Sequence, residues 1–129
     1  MWLDRLAASQ RETMLDLAHS VIVSDGLLDP NEECMLDQFR REMALSPEHR
    51  PRYVAVEGME RVFDSQRARR IALINLIQLS YVDGALEIEE ECLLRELAGA
   101  FGVEDDEFAL LENWVKRLAA LHEEGLGLL

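Results

Sequence analysis

Positive charge is scarce in this 129-residue chain. Lys116 is the only lysine, and the 13 basic residues face 26 acidic ones, for a net charge of −13. A protein so acidic is repelled by nucleic-acid phosphates and by anionic lipid, which argues against DNA, RNA or membrane-surface partners. Long apolar runs are lacking too. The longest, Ile71–Val82, spans 12 residues and already contains Asn75, Gln78 and Ser80. A bilayer crossing needs ~20 apolar residues, so this stretch is expected to be a buried helix, with no membrane insertion. The start, Met1-Trp2-Leu3-Asp4-Arg5, lacks the basic flank and apolar run of a secretion signal, and the expected location is cytoplasmic.

Only two cysteines occur, Cys34 and Cys92, with no CxxC or HxxxH spacing. Reduced thiols are the expectation in the cytoplasm, and a zinc site is not. His19, His49 and His122 are scattered, and no nucleophile–base set or phosphate-binding glycine loop accompanies them. The chain is therefore expected not to be an enzyme. No segment alternates apolar and polar residues convincingly as a strand would.

What is present is helix signal around one core. The composition is 49% hydrophobic and 30% charged, and the length suits a single domain over residues 1–129. Charge is uneven along it. From Asp83 to Glu112 there are 11 acids and one base, Arg95, whereas from Gln38 to Ala72 there are 8 arginines and 5 acids. Such a split suits two solvated faces, or one face for cations and another for a partner, a second copy included.

The strongest pattern is a repeat. Leu15–Leu45 aligns without gaps on Leu73–Val103, and 8 of the 31 positions are identical. Asp25-Gly26 falls on Asp83-Gly84, Leu28 on Leu86, Glu32-Glu33-Cys34 on Glu90-Glu91-Cys92 and Leu36 on Leu94. Each copy predicts helix, short loop, helix, with repeat one over about residues 10–45 and repeat two over about 65–103. The fold class is all-α: two helix–loop–helix units about a pseudo-twofold axis, each covering the apolar face the other leaves open. Ser9 with Glu12 has the form of a capping box opening the first helix. Asp29-Pro30-Asn31-Glu32 opens the second, with proline at the first helical position. Asp64 or Ser65 caps the central helix, which is apolar almost all round. Ser46-Pro47-Glu48 predicts another helical turn, and Tyr53–Phe63 a further helix. Glu104-Asp105-Asp106-Glu107 places four carboxylates at the start of a C-terminal helix over about 105–122, ahead of a frayed tail.

Two residues break the apolar pattern. On a helical wheel, Met35, Leu36, Phe39 and Met43 fall within about 60° of Glu32. Glu90 bears the same relation to Leu93, Leu94, Leu97 and Phe101. A carboxylate thus occupies the middle of the core stripe, twice. Burying it unpaired costs several kcal/mol. Either loop amides satisfy it, as first-turn capping allows, or it meets Asp25 and Asp83 around a cation. The spacing Asp-Gly-x-Leu-x-x-x-Glu mimics the second half of an EF-hand loop. The positions that should supply the first two ligands are Val21 and Val23, then Leu79 and Tyr81, none of which offers a carboxylate. An EF-hand is excluded, and a cation site needs another geometry.

The doubled run Ser24-Asp25-Gly26-Leu27-Leu28-Asp29-Pro30-Asn31-Glu32 and Val82-Asp83-Gly84-Ala85-Leu86-Glu87-Ile88-Glu89-Glu90 resembles the tellurite-resistance TerB family. That superfamily includes the N-terminal domain of certain membrane-anchored DnaJ-like co-chaperones. The resemblance spans roughly residues 10–122. It implies a compact all-helical bacterial stress-response module in which Asp25, Glu32, Asp83 and Glu90 are the metal ligands for a divalent cation. The alternative is a metal-free interaction domain whose acidic residues only cap loops. In either case a protein partner is expected, and a homodimer is compatible with the charge split.

Overall fold

Leu15, Leu73, Leu76, Ile77 and Leu94 are completely buried, and around them a computed structural model places only helices and connecting segments. It describes residues 1–24, 30–81 and 88–129. Among these there is no strand, and the chain is all-α. A 3-10 turn at Leu3–Arg5 precedes α1 (Ala8–Val23) and α2 (Pro30–Glu42). Then come the short α3 (Met59–Val62), α4 (Gln66–Ser80), α5 (Ile88–Ala100) and α6 (Asp105–Leu126).

The repeat reappears in the element boundaries. The first residues of α1 and α4, Ala8 and Gln66, stand 58 positions apart, as do both ends of α2 and α5. Packing follows the same plan. α1 packs on α2, α4 and α5, while α4 packs on α1, α2, α5 and α6. Both central helices are therefore buried on most sides, α1 as well as α4.

A shared clamp was not visible from the motif alone. Arg11 on α1 donates to the carbonyls of Asp4, Leu6 and Met43 at 2.7, 3.0 and 2.9 Å. Arg69, 58 positions on, donates to those of Glu60, Phe63 and Phe101 at 2.7, 2.6 and 3.4 Å. Met43 and Phe101 are themselves repeat partners, immediately beyond α2 and α5. Each arginine thus satisfies a carbonyl that a helix end leaves without an intrahelical donor. Both helices also close in the same way. Ala44 N–H bonds Arg41 and Leu45 N–H bonds Arg40, just as Gly102 N–H bonds Gly99 and Val103 N–H bonds Ala98. The turn residue is left-handed in both, with φ 53° at Ala44 and 73° at Gly102.

Several sequence expectations need correction. The first helix is not opened by a Ser9–Glu12 box. It begins at Ala8, and the Ala7 N–H donates to Gln10 Oε1 at 2.9 Å. Of the two candidate caps before α4, it is Ser65 that accepts from Ala68 N–H. Ser46-Pro47-Glu48 makes a single turn and no helix, with Glu48 N–H on Ser46 Oγ and His49 N–H on Ser46 O. The expected helix over Tyr53–Phe63 shrinks to Met59–Val62. Residues 46–56 instead form an irregular strap whose backbone is satisfied elsewhere: Arg52 N–H donates to Asp16 and Val54 N–H to Ser20, both on α1. The C-terminal helix runs past 122 to Leu126, with Gly127 N–H still bonded to Glu123 O.

Candidate functional site

The two anomalous glutamates lie where the wheel places them. Glu32 is in the first turn of α2 and 5% exposed, and Glu90 is in the first turn of α5 and 3% exposed. Their chain neighbours Asn31, Glu33 and Glu89 are exposed. Burial is therefore a matter of helical phase and not of a generally buried segment. Below each glutamate the same face continues into the core as Leu36, Phe39 and Met43 in one copy, and as Leu94, Leu97 and Phe101 in the other. Two features offset the cost. The positive end of the helix macrodipole favours a carboxylate in the first turn, and neither glutamate is without an interaction partner. Asp25 and Asp83, with the glycines that follow them, lie outside the described residues. Among the described residues no three histidine, cysteine or acidic side chains gather as a metal-binding group.

A second polar cluster, absent from the sequence argument, lies on α1. Asp16 is 4% exposed, and its Oδ1 sits 3.2 Å from His49 Nε2 while accepting the Arg52 N–H at 3.2 Å. Glu12 Oε2 is 3.9 Å from His49 Nδ1. The two carboxylates thus face opposite nitrogens of one ring, so no single ion can be shared by all three groups. Arg40 donates to the His49 carbonyl at 2.6 Å and to that of Ser46 at 3.1 Å, tying the strap to α2 as well. Ser20 Oγ donates to the Asp16 carbonyl, so it is no nucleophile poised on the imidazole. The cluster is an anchor. Its sequence signal was the pair Asp16 and Ser20, four apart on α1 and interrupting the apolar residues Leu15, Leu17, Ala18, Val21 and Ile22.

Cys34 and Cys92 are both free and exposed, on the solvent side of α2 and α5. No helix among the described residues is long and apolar enough to cross a membrane. Compared with protein-family models, curated proteins and solved structures, the chain matches none.

Proposed function

We propose that this domain is a non-catalytic binding module built on the TerB pattern, in which Asp25, Glu32, Asp83 and Glu90 hold a divalent cation in a stress-response setting. One observation carries the proposal: in each copy a single glutamate, seven residues after an Asp-Gly, turns inward while an adjacent glutamate stays at the surface. Carboxylates are costly to bury, and a duplicated cost at one motif position suits a ligand role. Oxygen donors of this kind select hard cations such as calcium, magnesium or manganese.

A metal-free reading has its own support, since both glutamates already have partners within the chain. On that reading they only fasten the loops that precede α2 and α5, and the module works by protein contacts. The thermal midpoint separates the two. After EDTA treatment, one of calcium, magnesium, manganese or zinc is expected to raise it. A cation at 100 times its dissociation constant stabilises the folded state by about 2.7 kcal/mol. The double variant Glu32→Gln, Glu90→Gln should lose that response. No response to any of the four metals in the wild type leaves the loop-fastening role.

A further inference from the structure

We infer that Asn75 and Glu42 form a receptor for a free α-amino terminus, and that the Trp2–Trp114 pair is held in place only while this receptor is filled. Asn75 is the anomaly that leads there. It is 0% exposed in the middle of α4, and the other copy has the buried Leu17 at the same place, 58 residues earlier. A carboxamide in such a core needs partners for its oxygen and its nitrogen. Its Oδ1 accepts from the Met1 ammonium at 2.7 Å, and its Nδ2 donates to the carbonyls of Met1 and Ile71, both at 2.8 Å. The ammonium and the carbonyl of one residue are thus read together, which is how an amino terminus is captured. Glu42, the last residue of α2, completes the grip. Its Oε2 lies 3.3 Å from the ammonium, and its Oε1 accepts the Leu3 N–H at 3.1 Å.

What the receptor holds is strained. Trp2 is left-handed, with φ 60° and ψ 12°, a conformation that a bulky residue keeps only where its surroundings fix it. Bonds to Met1 and Leu3, on either side of it, supply that constraint. They set the Trp2 ring 5.9 Å from the ring of Trp114 on α6, with Leu3 wholly buried behind it. Beyond Leu3 a separate clamp takes over, since Arg11 donates to the carbonyls of Asp4 and Leu6. Release of the amine therefore frees Met1 and Trp2 and leaves the rest of the turn held. The ion pair with Glu42 is about a third exposed and contributes little alone. The bond to Asn75 is short, charge-assisted and buried, and its loss orphans Oδ1 inside the core. An acylated amine carries no charge and a single N–H, so it cannot serve Asn75 and Glu42 together.

Trp2 and Trp114 are the only tryptophans of the chain, so tryptophan fluorescence reports on this contact alone. The test compares three forms: the chain with a free Met1 amine, the same chain acetylated there, and a chain carrying Gly-Ser ahead of Met1. Both blocked forms are expected to emit at longer wavelength and to be quenched more by acrylamide. Their thermal midpoint should fall by about 3–6 °C. Asn75→Leu installs the residue of the other copy. It should show the shifted emission with its amine free, and acetylation should add nothing. Glu42→Gln, an exposed change, keeps an oxygen for the Leu3 N–H and should give a smaller shift. Unchanged emission and quenching in both blocked forms overturn the inference. So does a folded Asn75→Leu that responds to acetylation as fully as the wild type, because Asn75 then has no part in holding the amine. The blocked forms keep every side chain, so they decide the matter even where Asn75→Leu fails to fold. None of these readouts depends on whether Glu32 and Glu90 hold a cation.

Discussion

α1 and α4 occupy corresponding places in the two copies, yet they are covered in different ways. Across α1 lies the irregular strap of residues 46–56, held by Asp16 and Ser20 through backbone N–H groups. Across α4 lies α6, a regular helix that buries Phe108 and Val115. The difference follows from backbone accounting. A helix satisfies its own amides, so it can cover a neighbour with apolar side chains alone. A strap cannot, and every N–H it buries needs an acceptor from elsewhere. The first copy therefore carries the buried acceptors Asp16 and Ser20, where the second has the half-buried Ile74 and Gln78. Duplicated helices need not have duplicated surroundings.

The comparison can be broken most forcefully at α6. Phe108→Ala is expected to cost about 3–5 kcal/mol in chemical denaturation, because a buried aromatic leaves a cavity behind. A loss below about 1 kcal/mol would mean that α6 is not the cover of the second copy. On the strap side, Asp16→Ala should cost about 1–3 kcal/mol, since the Arg52 N–H and His49 both lose their acceptor. Asp16→Asn keeps an oxygen for the Arg52 amide and should cost less. Hydrogen exchange at the Arg52 amide reads the same event locally, and unchanged protection in Asp16→Ala would refute the anchor.

Glu32→Ala and Glu90→Ala test what the two copies share. Each is expected to cost about 1–3 kcal/mol, as partners of a buried carboxylate are orphaned. Glu33→Ala, at the surface, should stay within about 0.5 kcal/mol. Repeating the series in EDTA divides the penalty: it persists if the glutamates only fasten loops, and it shrinks if a cation is lost from the wild type. Equal, negligible effects at all three positions would dispose of the site.

The smallest effect sharpens the comparison at the helix ends. Ala44 and Gly102 close α2 and α5 with the same left-handed turn, but only glycine adopts it without strain. Ala44→Gly should stabilise the fold by about 1 kcal/mol, and Gly102→Ala should destabilise it by about 1–2 kcal/mol. No side chain obstructs a Cβ at Gly102, so its penalty is conformational alone. Opposite shifts in thermal midpoint are the expected outcome, and shifts of the same sign would contradict the shared turn.

The position of α2 could be read directly from Pro30 at its first helical residue, and that of α5 from the same motif 58 residues on. The inward turn of Glu32 and Glu90 followed from phase, because a helix of 3.6 residues per turn fixes which residues share a face. Tyr53–Val56 misled the pattern. Its apolar residues suit a helix face, but the Val54 N–H there bonds Ser20, as the preceding Arg52 N–H bonds Asp16, and those distant acceptors outweigh local propensity. The pairing of His49 with Asp16 was hidden for the same reason, since 33 residues separate them. The Arg11–Arg69 repeat lay outside the motif and became meaningful only when both were seen on equivalent carbonyls.

By itself the amino-acid sequence determined the all-helical class, the duplication and the two buried carboxylates, because periodicity and capping are local properties that a few neighbouring residues settle. The tertiary structure alone decided how each central helix is covered, that residues 46–56 would be a strap, and that α6 would leave a groove beside α2. Those outcomes depend on contacts between residues far apart in the chain, where backbone groups and apolar faces find partners that no local pattern specifies.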